Sequence, residues 1–107
     1  MNIGVEKIDI HEGVMIKALL DSGTIGMFMD RQTAARHGFK LQKLERPIVV
    51  RNIDSTNNSG EVIMYQVECN VFYKSHVERI RMDVYDLGKT EVILGILWLA
   101  AHNLEIN

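Results

Sequence analysis

The sequence predicts a mostly β domain built from short strands and hairpins, with two short helices. Three observations carry this expectation. Apolar residues alternate with a period of two along Val14 to Leu20, Ile63 to Tyr73 and Ile80 to Val84. Turn-forming residues separate these runs at His11-Glu12-Gly13, Asp21-Ser22-Gly23, Ile53 to Gly60 and Lys74-Ser75-His76. Only two stretches, Arg31 to His37 and the segment after Gly95 up to Asn103, suit a helix.

Taken in order, residues 3–10 and 13–20 read as two strands. Ile3 and Val5 fall out of phase with Ile8 and Ile10, which predicts a bulge or bend in the first strand. In the second, Val14, Ile16, Ala18 and Leu20 share one face, and Met15 and Leu19 make the other largely apolar, so burial on both sides is expected. Ile25 to Met29 is a further strand. Asp30 is placed to cap the first helix, with Gly38 as its stop. Pro47 precedes a strand over Ile48 to Asn52. On Glu61 to Lys74, Ile63, Tyr65, Val67, Cys69, Val71 and Tyr73 share a face. Val77 to Tyr85 returns, with Ile80, Met82 and Val84 inward and Arg79, Arg81 and Asp83 on the solvated side. Val92-Ile93-Leu94 is a fully apolar strand, and Gly95 after it allows close backbone approach.

Composition excludes several function classes. The 107 residues suit one domain, 47% apolar and 24% charged. A formal charge of −2 without a basic patch gives no field for nucleic acid. The longest apolar run, the ten residues Val92 to Ala101, is too short for a membrane span. Met1 to Glu6 has neither a basic start nor an apolar core, so no secretory leader is expected. The single cysteine, Cys69, cannot form an internal disulfide, which fits a reducing compartment. It alternates with Val67 and Val71 and reads as core. His11, His37, His76 and His102 lack ligand spacing, so no metal is expected. Trp98 reads as core or dimer packing, and Ser22 lacks the context of a serine nucleophile.

The stretch that organises the chain is Ala18-Leu19-Leu20-Asp21-Ser22-Gly23-Thr24. An apolar strand running into a carboxylate is costly, because desolvation disfavours the charged form. As a tripeptide, Asp21-Ser22-Gly23 is an ordinary turn. Its pairing with Ile93-Leu94-Gly95 far downstream is what adds information.

These motifs, with Phe28-Met29-Asp30, Arg46-Pro47-Ile48, Asn52-Ile53-Asp54, Asp86-Leu87-Gly88-Lys89 and His102-Asn103-Leu104-Glu105-Ile106, resemble the protease domain of gypsy-class LTR retrotransposons. That domain is a retropepsin, the half-size relative of pepsin. The likeness runs from about Val14 to the end, with motifs in the same order and spacing. Ser55 departs from a common glycine, which would stiffen the flap. Leu104 and Asn107 stand where Pro and Asp are common, and Ser22 replaces the commoner Thr but keeps the hydroxyl.

The resemblance implies a closed β-barrel acting as one subunit of a symmetric dimer. Metal-free peptide hydrolysis needs one group to activate water and another to protonate the carbonyl oxygen. Two carboxylates about 3 Å apart cannot both ionise and share one proton, the known behaviour of the aspartic protease dyad. The chain has one Asp-Ser-Gly, so two copies are required. Asp21 is then the catalytic residue, within the loop Ser22, Gly23 and Thr24. Ser22 would hold the two loops together across the dimer, and the Gly23 N–H would approach the carboxylates. Asn52, Ile53, Asp54, Ser55, Thr56, Asn57, Asn58, Ser59 and Gly60 would form the flap over substrate. Ile93, Leu94 and Gly95 would support the site, and Leu104, Glu105 and Ile106 would be the dimer tail. The implied partners are a second copy and an extended polypeptide, with no nucleic acid, membrane or cofactor. The expected setting is intracellular and cytoplasmic, with virus-like particles as one location.

Three functions follow from this sequence: a homodimeric aspartic endopeptidase processing a Gag-Pol-type polyprotein, a domesticated dimerisation or peptide-binding module of weak or no activity, and an unrelated small β-barrel binding domain. Asp21-Ser22-Gly23 and Ile93-Leu94-Gly95 together disfavour the third.

Overall fold

Strand β1 (Asn2–Lys7) pairs antiparallel with β2 (Gly13–Leu20), Ile3 opposite Ile16 and Val5 opposite Val14. A computed structural model describes residues 1–24, 26–49 and 62–95 together with Trp98. Ile3, Val5, Ile16 and Ala18 all point inward and are buried. The first strand ends at Lys7, short of the expected Ile10. Ile8 to Ile10 are already turning, closed by the His11 N–H on the Lys7 carbonyl at 3.0 Å and the Lys7 N–H on the Glu12 carbonyl at 2.8 Å. The phase switch in the sequence is therefore a strand end and not a bend. His11 takes a φ of 54°, in the left-handed region.

The expected two-sided burial of β2 is corrected. Met15 is 67% exposed and Leu19 50%, because only one face of this strand looks into the core.

Strand β3 (Met27–Asp30) runs straight into helix α1 (Arg31–Arg36). Asp30 has extended backbone, and its carboxylate accepts the Thr33 N–H, satisfying a donor that the first helical turn leaves free. Gly38, at φ 73°, follows the helix as its stop.

Strands β4 (Gln42–Val49), β5 (Val62–Tyr73), β6 (His76–Tyr85) and β7 (Val92–Leu94) complete the sheet. Pro47 lies inside β4 and not ahead of it. The strand tolerates proline because β4 is an edge strand whose register breaks between Lys43 and Ile48.

The sheet order is β1-β2-β7-β3-β6-β5-β4, and β5 also pairs with β1. Six strands thus close into a barrel, with β4 outside the ring. Strand β5 makes this possible by its length of 12 residues. One edge pairs with β4 through its first half and with β1 through Cys69 to Phe72, while the other edge carries β6.

The core is the inner face of this ring. Val67, Cys69, Val71, Ile80, Met82 and Val84 fill it from the β5–β6 hairpin, as their alternation predicts. Tyr65 departs from its expected row and is 39% exposed. Trp98 is buried, with its ring edge-on to Tyr73 at 5.8 Å. Each fully buried aliphatic side chain contributes about 1.5–3 kcal/mol relative to exposure. The short β7 sits between β2 and β3, parallel to the first and antiparallel to the second. A strand flanked on both edges, with Val92 and Leu94 buried, needs the continuous apolar run found here. The second expected helix lies outside the described residues except for Trp98.

Candidate active site

Asp21 is the first residue beyond β2, and its main-chain N–H donates to the Leu94 carbonyl at 3.1 Å. The parallel pairing of Ala18 with Val92, Leu19 with Ile93 and Leu20 with Leu94 delivers the loop to the end of β7. Met27 pairs with Leu94 from the other side. The two sequence-distant motifs thus meet at one point, with Gly95 buried next to it.

The loop then folds back on its own carboxylate. The Thr24 N–H donates to the Asp21 carbonyl at 3.2 Å and closes the turn. The Gly23 N–H donates to Asp21 Oδ1 at 2.9 Å. The Thr24 hydroxyl donates to Asp21 Oδ2, also at 2.9 Å. Each carboxylate oxygen therefore has one donor, and the plane of the group is held from both sides. A Cβ on Gly23 would lie 3.2 Å from Asp21 Oδ1, tighter than ordinary contact, so a side chain there would press on the carboxylate. Asp21 is half-buried, while Ser22 is exposed at the loop tip. The arrangement presents an oriented, partly solvated carboxylate on a rigid strand end, suited to activating a water molecule.

The structure brings together Asp21, Gly23, Thr24 and Leu94. Ser22 shares the loop, but its hydroxyl makes no hydrogen bond among the described residues. The expected flap, Asn52 to Gly60, and the expected tail, Leu104 to Ile106, lie outside the described residues. Sequence reasoning did not find the Thr24 hydroxyl contact. The signal was a hydroxyl three residues after the aspartate, the spacing of a local side-chain hydrogen bond.

A second anchor lies behind the site. Asp30, 3% exposed, accepts the Leu87 N–H at 2.9 Å in addition to capping α1. The Asp30 N–H in turn donates to the Glu91 carbonyl at 2.8 Å. This ties both ends of the β6–β7 connection to β3 and so steadies the strand that supports Asp21. The sequence announced the cap but not this longer contact, which joins residues 57 positions apart.

Other titratable groups are elsewhere. Glu68 accepts from Arg79 at 2.7 Å and from Arg81 at 3.2 Å, and these hydrogen bonds hold its carboxyl below the usual carboxylate range. Burial pushes the Cys69 thiol up to about 12. Among the described residues no three His, Cys, Asp or Glu side chains converge as metal ligands.

A closed six-stranded barrel with one Asp-Ser-Gly loop seated on an inner strand defines a retropepsin-like domain, of aspartic protease type. Residues 17–107 match the PEG10/RTL1 protease domain, and the chain belongs to that family. Solved structures share the fold at low identity. EIAV protease complexed with the inhibitor HBY-793 is 16% identical with a TM-score of 0.61, over 100% of this chain and 89% of that one. The retroviral protease-like domain of Ddi1 from Leishmania major is 19% identical with a TM-score of 0.57, over 100% of this chain and 78% of that one. The protein Lpg0085 of unknown function from Legionella pneumophila is 12% identical with a TM-score of 0.53, over 99% and 88%.

Proposed function

We propose that the chain is one protomer of a homodimeric aspartic endopeptidase that cleaves a Gag-Pol-type polyprotein. The observation that carries this reading is the Asp21 carboxylate, with both oxygens held by its own loop. The Gly23 contact is that of an ordinary Asx turn, and the Thr24 hydroxyl on the second oxygen and the seating of the loop on Leu94 fix where the carboxylate points.

In this reading two Asp21 carboxylates face each other across a two-fold axis and share a proton. The ionised one takes a proton from water as the water oxygen bonds to the scissile carbonyl carbon. The protonated one gives its proton to the carbonyl oxygen. On collapse the first carboxyl passes the proton it took from water to the amide nitrogen, the second takes back its proton from the diol hydroxyl as the carbonyl re-forms, and the C–N bond breaks. The exposed Ser22 hydroxyl is free to bond the partner loop. The Asn52 to Gly60 flap closes over an extended substrate and excludes water. Substrate binds as an added strand with side chains in alternating pockets. Leu104, Glu105 and Ile106 pair with the partner's termini. The proposed setting is the cytoplasm, including virus-like particles.

The alternative of an inactive peptide-binding or dimerisation module is separated by one experiment. The purified chain, an Asp21→Asn variant and an Asp21→Ala variant are incubated with a peptide library, and cleavage is read by mass spectrometry. The wild type should cleave, with specific activity falling on dilution as dimer dissociates. Both variants should be inactive, and Asp21→Asn, nearly isosteric, should stay folded. Cleavage by the Asn variant equal to wild type would sink the catalytic assignment. No cleavage by a wild type that sediments as a dimer would favour the module.

A further inference from the structure

We propose that the cavity between β2 and the segment leading into β7 selects an acidic side chain of the substrate, with Lys17 and Lys89 as its specificity-determining residues. The inference rests on the peptidase reading of Asp21. The parallel pairing of β2 with β7 runs from Ala18 opposite Val92 to Leu20 opposite Leu94, and the Asp21 N–H extends it on the Leu94 carbonyl. Side chains alternate along such a strand, so Lys17, Leu19 and Asp21 fall on one side. Ile16 and Ala18 fall on the other and are buried in the core. Two residues of strand span about 7 Å, so a cavity at Leu19 meets a substrate side chain within about three residues of the scissile bond.

The cavity is about 290 Å³, room for one side chain of glutamate size with water. Ala18 and Leu19 line it from β2 and Thr90 from the opposite wall, while Lys17, Lys89 and Glu91 bring its charges. Among the described residues none of these three lies in an ion pair. Glu91 sets one carboxylate against two ammonium groups, so the lining keeps a net charge of +1.

The wall that carries Lys89 is fixed at both ends. Asp30 accepts the Leu87 N–H at 2.9 Å, and its own N–H donates to the Glu91 carbonyl at 2.8 Å. Between them the Thr90 N–H closes a turn on the Leu87 carbonyl at 3.4 Å. Lys89 on this held turn and Lys17 on β2 therefore set the surplus positive charge beside the Asp21 loop. An ammonium group is a compact point charge that needs no planar partner, so aspartate and glutamate both suit it. A basic side chain meets the same surplus as repulsion, which adds to the discrimination.

The test takes a peptide that the wild-type chain cleaves and replaces the three positions on each side of the scissile bond in turn by Glu, Gln and Lys. At one position kcat/KM should rank Glu over Gln over Lys, with about fivefold between the first two. The preference should shrink with added salt, because both lysines are exposed. Lys17→Glu combined with Lys89→Glu should reverse the order at that position. Lys40→Glu combined with Lys43→Glu makes the same change in net charge away from the cavity and should keep the wild-type order. No position with that order, an order unchanged in the first double variant, or an equal reversal in the second would overturn the proposal. If the wild type cleaves no peptide, the peptidase reading falls by itself. The cavity is then read by amide shifts of the isotope-labelled whole chain with Ac-Ala-Leu-Glu-Leu-Ala-NH2 and its Lys counterpart. Saturable shifts at Leu19 and Thr90, larger for the Glu peptide, would uphold the acidic preference, and their absence would overturn it.

Discussion

The main-chain N–H of Asp21 donates to the carbonyl of Leu94 over 3.1 Å, joining two motifs that lie at opposite ends of the chain. Through this bond the position of the carboxylate is set by β7, a three-residue strand held on both edges.

Gly95, buried immediately after Leu94, is therefore sensitive. Gly95→Val should destabilise the fold by about 1–3 kcal/mol, since a branched side chain overpacks a closed site. Thermal unfolding should show a fall of about 5 °C or more. A variant melting with the wild type would show that the residue has space around it.

Thr24→Val keeps the shape of the side chain but removes the donor to Asp21 Oδ2. Turnover of a cleaved peptide should fall about tenfold, with the melting temperature nearly unchanged. Unchanged kcat in this variant would mean that the Gly23 N–H alone orients the carboxylate.

Glu68 supplies a pH test away from the site. Hydrogen bonds from Arg79 and then Arg81 hold its folded pKa below the usual value. A depressed carboxyl stabilises the fold above its unfolded pKa, and that stability is lost as pH falls through the folded one. Glu68→Gln should melt below the wild type near neutrality, with the gap closing as pH drops below about 4. The gap should be small, because both arginine side chains are largely exposed. A gap that widens in acid would contradict the pairing.

Cys69 is fully buried, and its thiol is pushed up to about 12 by desolvation. At neutral pH it is protonated and shielded, so iodoacetamide should not label the folded chain. Labelling should appear in denaturant with the unfolding transition. Rapid labelling of the native chain would show that the β5–β6 face opens.

Much of this protein was legible in the sequence wherever the signal is local. The Asp30 cap and the Gly38 stop are read within one helix. The alternation of Val67, Cys69 and Val71 shows which side of β5 is inward. The resemblance to retrotransposon protease domains, carried in part by Asp21-Ser22-Gly23 and Ile93-Leu94-Gly95, implied the retropepsin-like barrel. Three things waited for the tertiary structure: that β2 leaves Met15 and Leu19 in solvent, that Pro47 sits within an edge strand, and that the Thr24 hydroxyl holds the second oxygen of the Asp21 carboxylate. Periodicity gives the phase of a strand but not which neighbours cover its faces and edges. Those neighbours come from far along the chain, as Leu94 does for Asp21, and only ring closure brings them into contact.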